Sequence, residues 1–173
     1  VALGRADQAA VARVSGVNGV HWARPTTERE QDCGFGYFVL SLVDALSEGR
    51  RFTVWEGDDI NMVATPSLAS QCGELIHRMA TVDDATGIFH CCGADATGRM
   101  ELAQAACAAF DLDPTLVGAG PADPDSMPGS PIPYDTSLGV HRTETILGVA
   151  PLGTDDLLAR FRLELESGAL APV

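Results

Sequence analysis

Apolar positions in this chain fall into short clustered runs separated by longer stretches with a three-to-four-residue repeat, the pattern of an α/β domain. The alanine-rich "RADQAAVARVS" predicts a helix ending near Gly16. "VNGVHWARP" predicts a buried strand stopped by Pro25, which has no N–H to give a sheet ladder. The "GFGYF" stretch reads as the entrance to a helix over "YFVLSLVDALSEG", with Gly49 just past its C-cap. "RFTVWEG" reads as a strand, "PSLASQCGELIHRMAT" as a helix with Ser67 as N-cap, and "TGIFHCC" as another strand. "GRMELAQAACAAFDL" is an amphipathic helix, and the proline- and glycine-rich "DPTLVGAGPADPDSMPGSPIP" reads as a long surface loop. The last segment, "LGTDDLLARFRLELES", places Thr154 as N-cap and Asp155 and Asp156 in a first turn, where acids complement the helix dipole.

The 173 residues suffice for one domain with a real core, and no internal repeat is present. A formal charge of −13 argues against a nucleic-acid partner, which needs clustered cations to displace counterions. No apolar run approaches bilayer-spanning length and the N-terminus carries no signal-like core, so no membrane partner and a cytoplasmic location are expected. Five cysteines without framework spacing suggest reduced thiols. The most restrictive feature is that all eleven basic residues are arginine. Without lysine, Schiff-base chemistry, a Walker-type phosphate loop and a Tyr-x-x-x-Lys dyad cannot be completed within this sequence.

His90-Cys91-Cys92 invites a metal or redox reading. Strand alternation turns Cys91 and Cys92 to opposite faces, and no Cys-x-x-Cys or His-x-x-x-His pair supplies further ligands, so no metal site is expected and both cysteines read as small core residues. His90 either satisfies a core hydrogen bond or faces a cleft. No Gly-x-Ser-x-Gly elbow occurs, and "GFGYF" lacks the third glycine of a dinucleotide loop. Asp58 and Asp59 follow the strand "RFTVW", where α/β folds place ligand crevices.

The ordered set of segments resembles the C-terminal part of the extended short-chain dehydrogenase/reductase superfamily, in its dTDP-4-dehydrorhamnose reductase branch. "VNGVHWARPTT", "GFGYFVLSLVDALSEGRRFTVWEGDDINMVATPSLA", "TGIFHCCG", "GRMELAQAACAAFDLD", "PIPYDTSLGV" and "LGVAPLGTDDLLARFRLEL" carry the likeness over nearly the whole chain. It implies an α/β fold that is an incomplete Rossmann-like domain, residues 1–173 forming a single substrate-side portion. The strands "GVHWAR", "FTVW" and "GIFHCC" would then share a sheet whose first strands lie outside this sequence, leaving Val20, Trp22 and Phe89 uncovered.

The resemblance further implies a nucleotide-sugar substrate, with Arg24, Asp59, Asn61, Thr65, Tyr134 and Asp135 around it. Arg24 is the best candidate, since a guanidinium clamps a diphosphate bidentately; an ion pair with Glu28 or Glu30 is the competing role. NAD or NADP serves the intact family, but none is expected to bind this chain alone. In register, Leu3 and Asp7 of "LGRAD" stand where the family has its catalytic tyrosine and lysine, and no Gly-x-x-Gly-x-x-Gly unit is present. Ile132 replaces the arginine before Pro133, and Gly139 an aspartate. No catalytic residue is therefore expected. The leading expectation is the substrate-binding portion of a sugar-nucleotide reductase or epimerase, forming a homodimer or pairing with a missing N-terminal half. The alternatives are a non-catalytic binding module with the same fold, and an unrelated metal or thiol protein.

Overall fold

The structure, a computed structural model, describes residues 9–20, 31–32, 34–83, 85–127 and 131–168. Among them, eight short strands form four two-stranded pairs, and five α-helices pack between and over them.

The first pair joins β1 (Ala10–Arg13) to β6 (Gly87–His90) in parallel, with Val11 opposite Ile88. β1 overturns the helix expected over 5–15. Alternation decides it: Ala10 and Ala12 pack on a cluster formed by Leu75, Phe89, Cys91 and Leu147, and their small side chains let the helices above approach closely. This cluster lies beneath α2 (Ala69–Thr81) and α4 (His141–Leu147), the latter a helix the sequence pattern did not signal. Phe89 is fully buried there, with the Arg142 guanidinium 5.0 Å from its ring centroid, so the expectation that Phe89 is left uncovered fails. Trp22 lies outside the described residues, and Val20 is half-buried.

β2 (Val17–Asn18) pairs in parallel with β5 (Ser67–Leu68). Ser67 is thus a strand residue, its N–H donating to the Gly16 carbonyl at 3.0 Å, and not the N-cap of α2, a position held by Leu68. β3 (Phe52–Glu56) pairs in parallel with β8 (Val117–Pro121), so the proline-rich stretch read as a loop contains a strand. Glycine makes that strand possible: a Cβ at Gly120 would come within 2.9 Å of Thr53 Cγ2, so the chain lies too close to β3 for a side chain. Because β3 pairs with β8 and β6 with β1, "FTVW" and "GIFHCC" belong to different pairs and not to one sheet. β4 (Val63–Ala64) and β7 (Thr97–Gly98) form the antiparallel pair.

The larger core gathers Phe38, Val39 and Leu42 of α1 (Phe38–Ser47), Val54 of β3, Leu102 and Ala106 of α3 (Arg99–Ala109), and Leu157, Leu158 and Phe161 of α5 (Thr154–Ser167). Full burial of each large side chain contributes about 1.5–3 kcal/mol. α1 ends as its sequence predicts: Gly49 takes a left-handed φ of 72°, and its N–H reaches the Leu46 carbonyl at 3.0 Å. α5 begins at Thr154 with Gly153 at the N-cap position; the capping oxygen comes from Asp95, which accepts the Thr154 N–H at 2.8 Å. No helix among the described residues is long and apolar enough to cross a membrane.

Candidate functional site

Parallel strands in α/β folds direct their carboxyl ends toward ligand crevices. Beyond the end of β1 lies a cavity of about 500 Å³, walled by residues 15–20, by Asp32, Gly34, Gly36, Tyr37 and Leu40, and by Ala69 at the start of α2. Two glycines shape its rim. A Cβ on Gly16 would meet Phe35 Cβ at 2.9 Å, and one on Gly19 would meet Ala69 Cβ at 2.9 Å. The protein's own side chains therefore occupy the space that these glycines free.

The wall is mostly apolar, and its polar part includes the acceptors of Asn18 and Asp32. The Asn18 amide donates through Nδ2 to the carbonyls of Gly16 at 3.4 Å and Ser67 at 3.3 Å, which fixes its orientation. Its Oδ1 has no hydrogen-bond partner, although the side chain is only 3% exposed. Asp32 Oδ1 accepts the N–H groups of Gly34 and Gly36, both at 2.7 Å, and shapes the tight turn that enters α1. That turn holds Phe35 at φ 68° and Tyr37 at φ 54°, left-handed conformations that side chains larger than glycine's disfavour.

The residues singled out from sequence divide into groups. Asn61, Thr65, Tyr134 and Asp135 are brought together along one seam, where residues 133–138 run beside β4. Asn61 is 1% exposed; its Nδ2 donates to the carbonyls of Val63, Pro133 and Tyr134 at 2.9, 3.1 and 3.1 Å, and its Oδ1 accepts from the Thr136 hydroxyl at 3.0 Å. Thr65, fully buried, accepts the Leu138 N–H at 2.9 Å. Both spend their polar atoms on holding the segment that displays Tyr134 and Asp135, which are exposed. The Asp135 carboxylate accepts the Ser137 N–H at 2.8 Å, and that bond holds its pKa below the ordinary carboxylate range. Asp59 sits in an exposed turn beyond β3, next to Asp58. Arg24, Leu3 and Asp7 lie outside the described residues, as do Glu28 and Glu30.

His90 is half-buried at the end of β6, its Nδ1 2.6 Å from the Gly139 carbonyl oxygen. Cys91 and Cys92 are fully buried, and desolvation pushes their thiols up, Cys92 to about 12. Among the described residues no group of three His, Cys, Asp or Glu side chains could hold a metal ion. A second hollow of about 400 Å³ is rich in carboxylates, but Asp95 caps α5 there and Glu101 accepts the Gly98 N–H at 3.4 Å, so their work is helix capping.

Sequence reasoning missed two residues of this region. Asn18 carried no signal within a predicted strand. Arg99, read as the polar start of an amphipathic helix, is fully buried and reaches Asp32 and Asn61.

No family model matches this chain, and no curated protein matches it. Solved structures match it in fold. The dTDP-4-dehydrorhamnose reductase of Bacillus anthracis, in complex with NADP, superposes with a TM-score of 0.62 at 14% identity over 90% of this chain. A hypothetical dTDP-4-dehydrorhamnose reductase from Sulfolobus tokodaii gives 0.60 at 24% over 86%. The UDP-glucuronic acid 4-epimerase of Bacillus cereus, in complex with UDP-glucuronic acid and NAD, gives 0.62 at 12% over 91%. The fold is that of the extended short-chain dehydrogenase/reductases. The chain spans about half the length of these proteins, 48%, 46% and 45% respectively, and so presents the extended short-chain dehydrogenase/reductase fold in part.

Proposed function

We propose that this chain is the substrate-side portion of an NAD(P)-dependent sugar-nucleotide reductase or epimerase, with the cavity beyond β1 taking the sugar. The observation that carries this reading is the pair of acceptor side chains, Asn18 and Asp32, in the wall of a cavity at the carboxyl end of a parallel strand. The orphaned Asn18 Oδ1 and the Asp32 carboxylate suit the hydroxyl donors of a sugar ring, and a buried acceptor left unpaired rewards a ligand that supplies the missing donor. The Asp32 charge disfavours a diphosphate at the same place, as do the exposed carboxylates of Asp59 and Asp135; in this reading Arg24 is the group that holds the diphosphate, and Tyr134 and Asp135 are displayed to the hydroxyls and base. Asn61 and Thr65 act by holding that display in place.

The described residues around this cavity do not fit a dinucleotide. The glycines of the post-β1 turn are filled by Phe35 and Ala69, leaving no backbone cradle for a pyrophosphate, and the sequence has no lysine for the nicotinamide ribose. No step of hydride transfer is assigned to this chain, and NAD or NADP is expected to be held by another α/β half. The missing lysine also favours a second reading, a binding module that keeps the fold without catalysis. Among the described residues the four cysteines are free and buried, which together with the chain's net charge of −13 suits a reducing cytoplasm, where the chain acts as a homodimer or beside that other half.

Calorimetry with UDP-glucuronic acid and dTDP-glucose tests the proposal. Saturable binding that Asn18→Leu weakens at least tenfold supports it. Binding that is unchanged in Asn18→Leu removes the cavity from the account, and micromolar binding of NADH would overturn the division between substrate and cofactor halves.

A further inference from the structure

Arg99 is the first residue of α3 and is completely buried. Neither fact is explained by packing. The positive end of a helix dipole opposes a cation, and an apolar side chain of similar volume would avoid the desolvation of a guanidinium. What an arginine alone supplies is a rigid fork of donors. Its Nε donates to the Asn61 carbonyl at 2.7 Å and its Nη2 to the Asp32 carbonyl at 2.9 Å, and its guanidinium carbon lies 4.6 Å from the Phe35 ring centroid and 5.7 Å from that of Phe38.

These contacts join two parts of the molecule that are far apart in sequence. On one side is the turn of Asp32 through Tyr37, which walls the cavity and contains two left-handed side-chain-bearing residues. Such conformations persist only where the surroundings over-determine them, and Arg99 holds the turn by a carbonyl and by a ring face. On the other side is Asn61, whose amide pins the backbone of Pro133 and Tyr134. We propose that Arg99 is a positioning residue: its guanidinium sets the spacing between the cavity turn and the segment carrying Tyr134 and Asp135, and so sets the shape that a ligand meets. The ligand part of this inference rests on the cavity being the binding site; the geometric part does not.

The two parts are separated by reading backbone amide resonances together with binding. Arg99→Met keeps volume and removes the fork, while Arg99→Lys keeps charge and retains at most one of the two bonds. Expected for Arg99→Met is a cooperative fold with the Gly34, Gly36 and Thr136 amides displaced and their hydrogen-exchange protection down roughly tenfold, and UDP-glucuronic acid affinity down by about the same factor. Arg99→Lys should fall between Arg99→Met and the native chain on each readout. Should Arg99→Met not fold, Arg99→Ala in the presence of methylguanidinium replaces it, with recovery of the native Gly34 and Gly36 resonances expected. Native amides and native affinity in Arg99→Met overturn the inference, as does failure of methylguanidinium to restore the amides. Displaced amides in a chain whose native form does not bind UDP-glucuronic acid leave Arg99 as the positioning residue and sink the cavity reading instead. Unchanged amides with intact binding do the reverse.

Discussion

The side-chain amide of Asn61 donates to the Tyr134 carbonyl at 3.1 Å, joining residues 73 positions apart in sequence. The same carbonyl accepts the N–H groups of Met62 and Val63 at 2.8 and 3.0 Å, so the 133–136 segment is sewn to β4 by backbone and side chain together.

Asn61→Ala should therefore loosen that segment and destabilise the fold. Its partners Val63, Pro133 and Tyr134 lose a donor and Thr136 an acceptor, a loss of about 1–3 kcal/mol. Denaturant unfolding measures the loss, and a change below about 0.5 kcal/mol, the range of ordinary surface substitutions, would show that the seam does not depend on Asn61.

The rim glycines of the cavity should resist enlargement. Gly16→Ala and Gly19→Ala each place a methyl 2.9 Å from a neighbouring Cβ, and overpacking of this kind costs roughly 1–3 kcal/mol. Thermal melts check it: Gly57→Ala, at a position with no atom near the added Cβ, is the control and should leave the midpoint close to native.

Buried thiols set an alkaline limit on stability. Burial raises Cys72 to about 11 and Cys92 to about 12 from an ordinary 9.0. A raised folded value favours the protonated, folded form, so this contribution is complete below pH 9.0 and is lost as pH rises toward those values. Site-resolved alkylation at neutral pH should leave Cys72, Cys91 and Cys92 unmodified in the folded chain and modify all three in urea. Rapid alkylation of Cys92 in the native protein would contradict its burial.

An ion network between α2 and α5 gives the opposite pH dependence. Arg160 bridges Glu74 at 2.6 Å and Glu164 at 3.2 Å, and Ser70 donates to Glu164 at 2.5 Å. The hydrogen bond from Arg160 lowers the pKa of Glu74 from its ordinary 4.5, so its stabilisation is present above that value and disappears as pH falls through the lowered one. Glu74 is more than half exposed, which keeps the effect within about 1 kcal/mol. Glu74→Gln should melt slightly below the native chain at pH 7 and together with it in strong acid; a gap that persists in acid would assign the difference to something other than charge.

How far the sequence carried can be argued element by element. α1, α2, α3 and α5 were legible because their apolar faces repeat at helical spacing and turn residues such as Gly49 close them. β3 and β6 were legible as compact apolar runs. β1 was not, because Ala10 and Ala12 are helix formers whose small size serves close packing over Leu75 and Phe89, a tertiary demand that propensity does not record. β8 was hidden by its glycines, of which Gly120 is the one that lets it lie against Thr53. At the site, Asn61, Thr65, Tyr134 and Asp135 were named from the family resemblance, but the bonding of Asn61 and Thr65 to the chain 73 residues on is invisible without the fold. Arg99 was hidden for the same reason: nothing in a helix pattern marks an arginine that points inward.

The central claim, that the cavity beyond β1 is where this chain meets its ligand, is tested most directly by mapping amide resonances of the isotope-labelled chain during titration with UDP-glucuronic acid. The account predicts saturable shifts concentrated at residues 15–20, at Gly34, Gly36 and Tyr37, and at Ala69, with Asn18 side-chain resonances among the most affected. Shifts confined to the carboxylate-rich hollow around Asp95 and Thr154, or no saturable shift at millimolar ligand, the weak end of specific binding at about 4 kcal/mol, would contradict it.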